Sequence, residues 1–484
     1  MATENAIGQD VDAVQSQSAV FRKELGLRDL VLTQILFVIG LSWVGAAAKL
    51  GPSHVIFWLV AMVLFYVPSA IVVTYLNRQM PLEGGLYQWA KIGCNGFIGF
   101  MVAWNLWLYV ITNTSEVGLQ LTTNLAYAVG PRADWMASDK MLITVVSCAV
   151  IGLLMVVSTI GLGLGKWVHN FGGVIMIVIF AVMLLLPIIA FMRGDIPRYA
   201  PLATAAPVIS LFSLNILGKL GFGALGGFEY VAILAGESRN PARTISRSVV
   251  IAAPIIAVMF IMGTSSVLAF IPISDIDLIA PIPQVLRYGL RSLGLVGAVV
   301  PIAIAMLICL RITQASVNFT GVTRLPMVAG WDDLMPRWFT KLHPRFRTPM
   351  NSIIVVGLVT IVMGLISLVG VGHQEAFQLL FNAGGIFYAL TYLVMFSIPL
   401  LGLKNAPSRP PLRVRIAACS GLLMTLLYVT LSIFPIIQVT SWLSFSLKVS
   451  GVIIAANAIG ISIFLAAKRR REKMGRSGFE PLKA

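Results

Sequence analysis

Long apolar runs alternate with short polar stretches along almost the whole chain. Twelve such runs can be read, each near the ~20 residues that a helix needs to cross a bilayer. Their limits are 29–48, 54–77, 97–127, 141–162, 167–192, 208–236, 244–271, 293–322, 351–370, 375–402, 413–436 and 442–467. The pattern predicts an all-α polytopic membrane protein with 12 transmembrane helices.

The sixth run is interrupted by glycines and by charge. Residues 215–241 hold four glycines within seven positions, flanked by Lys219 and Glu229. Each interior glycine costs a helix up to about 1 kcal/mol relative to alanine. A charge at membrane depth costs at least roughly 2.5–3.5 kcal/mol. A helix that only spans a membrane would not combine the two, so we expect the backbone to unwind here and hold a ligand. The glycines are Gly221, Gly223, Gly226 and Gly227.

The first run carries a similar interruption. Gly40 and Gly45 bracket residues 41–44 near the middle of the span. Taken alone, this pattern is equally consistent with close helix packing through small residues. The first and sixth spans are five apart, however, so they cross the membrane in opposite directions. Broken helices at matching positions of two antiparallel five-helix repeats are the signature of an inverted-repeat transporter, which binds its substrate between them near the midplane.

The repeat interpretation divides the chain into six parts, and it makes helices 11 and 12 peripheral. The parts are a disordered cytoplasmic tail at 1–28, a first five-helix repeat at 29–192, an extracellular loop at 193–207, a second, inverted repeat at 208–402, helices 11 and 12 at 403–467, and a basic cytoplasmic tail at 468–484.

Positive charge lies mainly on one side of the predicted membrane. The chain has 484 residues, 58% hydrophobic and 11% charged, with a formal net charge of +16. Of its 35 Lys and Arg, 25 fall on the side of the N-terminus and 8 on the opposite side. This bias places both termini in the cytoplasm and favours an integral protein of the plasma membrane over a nucleic-acid-binding protein. The run KRRREK at 468–473 is expected to lie against anionic lipid headgroups.

Other function classes find little support in the sequence. The four cysteines and four histidines are scattered and show no metal-ligand or redox spacing. The chain also lacks a Ser/His/Asp arrangement and a phosphate-binding glycine loop, so we expect no catalytic residues, no metal and no cofactor. A channel would be expected to show a repeated pore motif, whereas this chain shows two oppositely oriented helix breaks.

Three stretches resemble the amino acid–polyamine–organocation (APC) superfamily. They are RQMPLEGGLYQWAKIG at 78–93, FGALGGFEYVAILAGESRNPARTISRS at 222–248 and TRLPMVAGWDDLMPRWFTKLHPRFRTP at 323–349. The resemblance implies the leucine-transporter-like 5+5 inverted repeat with helices 1 and 6 broken. Two departures stand out. The family's glycine-serine-glycine run in helix 1 reads GLSWVG at 40–45, and Met176 occupies the place of a helix 5 lysine that replaces a sodium ion in some members.

The resemblance also implies a function. We expect a secondary active transporter of amino acids or related amines that works by alternating access and is proton-coupled or exchanges substrates. A polyamine or other organocation permease or antiporter is the alternative. The backbone of an unwound helix recognises the amino and carboxylate ends that all amino acids share, so the sequence leaves the particular substrate open.

The candidate substrate residues adjoin the two breaks or face them from the third span. Half-helix ends present free N–H and C=O groups to a ligand, and Trp43 and Phe222 are placed to close over it. On the cytoplasmic side, Glu237 and Arg239 are expected to form a latch. The predicted substrate site comprises Ile39, Gly40, Ser42, Trp43, Gly45, Tyr109, Asn113, Phe222, Gly223, Ala224 and Gly226.

Four ionisable side chains are predicted at membrane depth and assigned to proton coupling or gating. Glu229 matches a helix 6 glutamate that some family antiporters use in gating and proton sensing, and a carboxyl in a low-dielectric environment can exchange a proton near neutral pH. Glu116 is expected to pair with Lys219 or with Arg311, because burial of a lone charge is costly. Such a pair could be a fixed staple or a substrate contact, and an unpaired cation would favour an acidic substrate.

Overall fold

The described part of the chain forms fifteen mainly α-helical elements and, outside them, short 3-10 helices at Pro131–Ala137, Ile273–Asp275 and Arg337–Thr340. The computed structural model describes residues 25–40, 42–80, 82, 85–229, 231, 238–278, 280–291, 293–294, 296–326, 334–368, 373–401, 409–436, 439 and 441–473. Within these ranges no strand is formed, and one isolated bridge joins Leu25 to Ser238. The helices are α1 (Leu27–Val38), α2 (Trp43–Ala48), α3 (Gly51–Gln79), α4 (Leu86–Gly93), α5 (Gly96–Val129), α6 (Lys140–Ile160), α7 (Leu162–Met192), α8 (Leu211–Ala224), α9 (Pro241–Phe270), α10 (Pro281–Gly289), α11 (Val296–Val322), α12 (Met350–Ser367), α13 (His373–Leu401), α14 (Leu412–Leu431) and α15 (Trp442–Lys473).

Ten of these helices are long and apolar enough to cross a membrane. They are α3, α5, α6, α7, α9 and α11 to α15, and they coincide with ten of the twelve predicted spans. The protein is therefore an all-helical polytopic membrane protein. The two predicted spans without such a helix are the first and the sixth, where α1, α2 and α8 are short.

The first break separates α1 from α2. The backbone leaves helical geometry at Ile39, which is extended with φ −78° and ψ 100°. The side chain of Gln314 on α11 binds the end of α1: its Nε2 donates to the carbonyls of Leu36 at 2.9 Å and Ile39 at 2.6 Å. Carbonyls at a helix end need a partner where water is scarce, so this amide stabilises the break.

The second break follows a π-helical turn at the end of α8. The chain is π-helical over Lys219–Ala224, and the backbone after it is not helical. Gly227 lies at φ +127°, a region that residues with a side chain rarely adopt. Its N–H donates to Tyr392 Oη at 2.7 Å, and its carbonyl accepts from Gln34 Nε2 at 3.1 Å. Side chains of α13 and α1 therefore hold the unwound peptide.

The predicted peripheral position of helix 11 is wrong. This helix is α14, and it packs against α3, α8 and α13. Two glycines allow the close approach, because a Cβ on Gly218 would lie 3.2 Å from Tyr428 Cα and one on Gly385 would lie 1.8 Å from Tyr428 Oη. Tyr428 is buried as a result and reaches the centre of the bundle. Helix 12, which is α15, does stay at the edge, with 17% of its membrane-spanning window buried.

Candidate functional site

A cavity lies where the two helix breaks meet, walled by residues of α1, α2, α5, α8, α11, α13 and α14 and of the breaks themselves. The volume open to the centre of a water molecule is about 80 Å³. A cavity of this size has room for several waters. Nine of the residues singled out in the sequence line it: Gly40, Ser42, Trp43, Tyr109, Asn113, Phe222, Gly223, Gly226 and Arg311.

Trp43 reaches from one break to the other. A Cβ on Gly40 would lie 2.5 Å from Trp43 Cδ1, and one on Gly223 would lie 2.5 Å from Trp43 Cη2. The indole therefore fills the space that the two glycines leave open. Its ring also contacts Phe381 of α13, with the ring centroids 4.9 Å apart. Any change in the separation of the breaks must move this side chain.

Tyrosines and Phe222 form an aromatic wall on the opposite side. The rings of Tyr109 and Tyr388 are stacked with centroids 4.3 Å apart and an interplanar angle of 7°. Phe222 meets Tyr388 edge-on at 5.4 Å and lies tilted against Tyr428 at 4.7 Å. The wall joins α5, α8, α13 and α14, so it links all four helices to the cavity.

The polar side of the cavity comes mainly from α11. Arg311, Gln314 and Asn318 lie three and four residues apart and share one helix face. Arg311 Nη1 donates to Gln314 Oε1 at 3.1 Å, and Asn318 Nδ2 donates to Asn113 Oδ1 at 3.0 Å. This row places one guanidinium and two amides on the cavity surface, and the amide of Asn113 on α5 lies beside them.

Of the two predicted pairings of Glu116, the structure forms the one with Arg311. Arg311 Nη2 lies 3.1 Å from Glu116 Oε1, and the Glu116 side chain is fully buried. Glu116 itself does not line the cavity. It lies within α5 between two helical segments, behind the arginine that faces the ligand space.

The alternative pairing, Glu116 with Lys219, is not formed. Lys219 Nζ donates to Asn382 Oδ1 and to Ser432 Oγ, both at 3.3 Å, and lies 5.7 Å from the centre of the Tyr428 ring. Among the described residues, no carboxylate lies within 4.0 Å of this ammonium. Lys219 also does not line the cavity, because α8 turns it toward α13 and α14.

Glu229 is buried behind the aromatic wall. Tyr388 Oη donates to Glu229 Oε1, and Tyr392 Oη donates to Glu229 Oε2. Glu229 does not line the cavity, but Tyr388 does, so one tyrosine connects the carboxyl to the ligand space. The same Tyr392 hydroxyl accepts from Gly227 N–H, which joins the carboxyl to the second break.

The remaining predicted site residues lie outside the cavity lining. Ile39 takes part through its carbonyl, which Gln314 binds, and Ala224 is buried in the core. Gly45 packs against α10, where a Cβ would lie 3.0 Å from Pro281 Cβ. Glu237 lies outside the described residues. Among the residues that the structure does describe, no three His, Cys, Asp or Glu side chains form a metal-binding group.

Several cavity residues were not predicted from the sequence. They include Phe37, Gln314, Asn318, Phe381, Gly384, Gly385, Tyr388 and Tyr428. The row on α11 could have been found, because polar residues at positions i, i+3 and i+7 of an apolar span mark one buried face. The glycine pair 384–385 inside α13 was a second signal, since it marks close helix approach. Tyr428 had no comparable signal.

A bundle of membrane-length helices that encloses a small polar cavity between two broken helices has the architecture of a membrane transporter. The comparison with known sequences gives the family. The sequence profile of the amino acid permease family matches residues 29–464. The chain therefore belongs to that family, and the APC resemblance is confirmed. It is a transporter of amino acids or related amines and not an enzyme.

Individual relatives are distant but cover most of the chain. A probable agmatine/putrescine antiporter, AguD, from Lactococcus lactis is 21% identical over 83% of this chain and 84% of its own length. The branched-chain amino acid permease BcaP from Bacillus subtilis is 23% identical over 77% and 82%. An uncharacterized transporter from Mycobacterium tuberculosis is 27% identical over 70% and 72%.

Proposed function

We propose that the protein is a secondary active transporter that binds an amino acid in the cavity between the helix breaks and moves it by alternating access. The observation that carries this proposal is Arg311, the one charged side chain among the described residues of the cavity lining. A guanidinium matches the geometry of a carboxylate. The non-helical backbone at both breaks offers main-chain groups to the amino end of the same ligand.

The charge of the lining favours amino acids over polyamines. Relatives of this chain are named for both kinds of substrate, diamines in AguD and branched-chain amino acids in BcaP. A diamine carries two positive charges and would meet the Arg311 guanidinium without any carboxylate in the described lining. A zwitterion instead brings an anionic group to that guanidinium. The organocation permease is therefore the second candidate.

The size of the cavity favours a small substrate. A cavity with about 80 Å³ open to the centre of a water molecule suits a ligand of the size of a small amino acid. Trp43 and Phe222 border this volume from the two breaks. We propose that they move with the breaks and set the side-chain size that the closed cavity accepts.

The topology proposal follows the positions of the broken helices. We propose twelve spans in a 5+5 inverted repeat followed by two further helices, with the first and sixth spans broken. The ten membrane-length helices and the two short, interrupted ones support this arrangement. The distribution of Lys and Arg supports cytoplasmic termini in the plasma membrane and a basic C-terminal segment against anionic lipid.

Glu229 is proposed as a gating and proton-sensing residue. Through Tyr388 and Tyr392 it contacts both the cavity wall and the second break, so a change in its protonation would alter the hydrogen bonds that hold the break. Lys219 is proposed to act on gating only, by joining α8 to Asn382 of α13 and Ser432 beyond α14.

The cytoplasmic latch of Glu237 and Arg239 stays a proposal. The Arg239 N–H donates to the carbonyl of Leu25 at 3.0 Å, immediately before α1. A latch at this position would restrain the start of the first broken helix, which must move when the cavity opens to the cytoplasm.

Ligand-dependent thermal unfolding of the purified protein tests the proposed function. We expect one or a few of the twenty L-amino acids to raise the melting temperature by mass action, and putrescine and agmatine to leave it unchanged. Uptake of the stabilising amino acids into proteoliposomes should saturate with concentration. Stabilisation by the diamines alone would instead support the organocation permease, and ohmic conductance would refute a carrier.

A further inference from the structure

Glu116 borders a second, much smaller cavity on the side away from the ligand space. The volume open to the centre of a water molecule there is about 10 Å³, close to what one bound water needs (~10–15 Å³). Its wall includes Ser147 of α6, Ser367 of α12 and Phe377 of α13. Leu380 of α13 lines both this cavity and the substrate cavity, so Glu116 and Arg311 lie between two separate spaces.

The two oxygens of Glu116 are used unequally. Oε1 accepts from Arg311 Nη2 at 3.1 Å and from Gln120 Nε2 at 3.0 Å. Oε2 is buried and has no hydrogen-bond partner among the described residues. A carboxylate oxygen left bare in a protein interior is costly, whereas a proton or a water removes that cost. The water-sized cavity supplies room for either.

Arg311 is also incompletely bound. Nη1 and Nη2 donate to Gln314 and Glu116, but Nε is buried without a partner in the described part of the protein. The guanidinium lines the substrate cavity, so a ligand carboxylate can approach it there. A fixed staple between helices would be expected to use the donors and acceptors of both partners more completely.

We infer that Glu116 and the substrate carboxylate are alternative anionic partners of Arg311, and that Glu116 takes up a proton through the small cavity when the substrate arrives. The inference rests on the proposed function, since it requires an amino acid carboxylate at Arg311. In this step the ion pair to Glu116 breaks, an O–H bond forms at Oε2 with a proton from solvent, and the substrate carboxylate pairs with the guanidinium. Release of the substrate reverses the order, so one proton accompanies one zwitterion.

Few other titratable or charged groups lie close to Glu116. From α11 the charged group facing Glu116 is Arg311, and on α5 itself the titratable neighbour is Tyr109. The residues that α6, α12 and α13 contribute to the small cavity are apolar, glycine or serine. Glu229 is bound by Tyr388 and Tyr392 and lines neither cavity.

Transport in proteoliposomes tests the inference, with a radiolabelled mixture of the twenty L-amino acids as the probe. Counterflow without a pH gradient reports binding and alternating access. Accumulation is then driven by a pH gradient, alkaline inside, with the membrane potential clamped to zero by potassium and valinomycin. For one proton per substrate, a gradient of about one pH unit supports up to about tenfold accumulation.

Glu116→Gln removes the proton site and keeps a neutral, hydrogen-bonding side chain. We expect this variant to retain counterflow within about threefold of the wild type and to lose gradient-driven accumulation. The matched control is Glu375→Gln, which breaks an exposed ion pair of the same 3.1 Å length, with Lys448, and should behave as the wild type in both assays. Gradient-driven accumulation by Glu116→Gln at the wild-type level would overturn the inference.

The other possible results of these experiments also test the inference. Loss of both activities by a Glu116→Gln protein of unchanged melting temperature would show that Glu116 is needed for binding or alternating access itself, and not for proton coupling, and would overturn the inference. If that variant fails to fold, Ser367→Val fills the small cavity and leaves the ion pair intact. This variant should retain counterflow and lose gradient-driven accumulation. Accumulation at the wild-type level would refute proton entry through the small cavity. A wild-type protein that exchanges amino acids without responding to pH refutes this inference alone, whereas one without counterflow refutes the proposed function.

Discussion

A single and a double variant at Arg311 separate the contribution of this residue to stability from its contribution to ligand binding. Arg311→Gln alone leaves Glu116 buried without its cation, since their 3.1 Å contact is the only ion pair that either makes among the described residues. Breaking a buried pair in this way typically costs about 3–5 kcal/mol. The double change Arg311→Gln with Glu116→Gln removes both charges and keeps two hydrogen-bonding amides, so we expect a protein at least as stable as the wild type.

The double variant isolates the effect on binding. A hydrogen bond to a charged group contributes about 1.5–3 kcal/mol, which corresponds to a roughly 10- to 150-fold change in Kd. The double variant should lose the interaction with the carboxylate of the ligand and keep the interaction with its amino end. We therefore expect the variant to bind an amino acid little better than the corresponding decarboxylated amine.

Equilibrium binding of matched ligand pairs measures this difference. Each amino acid that stabilises the wild type is compared with its decarboxylated amine, for the wild type and for the double variant. The control is Glu375→Gln with Lys448→Gln, which removes an ion pair of the same length at an exposed site. If the double variant still prefers the amino acid as strongly as the wild type does, Arg311 does not bind the carboxylate and the proposed orientation of the substrate is wrong.

Three further changes test other parts of the structure. Gly223→Ala places a Cβ 2.5 Å from Trp43 Cη2. Because the indole must then move, we expect uptake to fall by at least about tenfold. Undiminished uptake would contradict the role of Trp43 between the breaks. Lys219→Met replaces a buried ammonium whose partners among the described residues are neutral. The melting temperature should therefore rise, by a stabilisation on the order of 1 kcal/mol, and a fall would reveal an anionic partner. Tyr392→Phe leaves Gly227 N–H without its acceptor. The free energy of unfolding should therefore fall by about 1–3 kcal/mol. An unchanged melting temperature would mean that this hydrogen bond does not stabilise the break.

The class of the protein and the places where its helices break could be predicted from the sequence. Both depend on properties that are local along the chain. Run length and polarity decide whether a segment can cross a bilayer, and a glycine such as Gly227 with φ +127° marks a backbone that other residues rarely adopt. Gly40, Trp43, Phe222 and Gly223 adjoin the breaks in the sequence, and the structure places them around one cavity; their binding of substrate stays a prediction.

Which of the buried charges contact each other could not be predicted from the sequence and depends on how the helices pack. Glu116, Lys219 and Arg311 lie at similar predicted depth, and depth does not tell which way a side chain points around its helix. Neighbouring positions on a helix differ by about 100° in direction, so a small rotation of α8 is enough to turn Lys219 from the cavity toward Ser432. The entry of Tyr428 into the site likewise depends on how closely α14 approaches the glycines of its neighbours, which is a property of the packed bundle and not of any one segment.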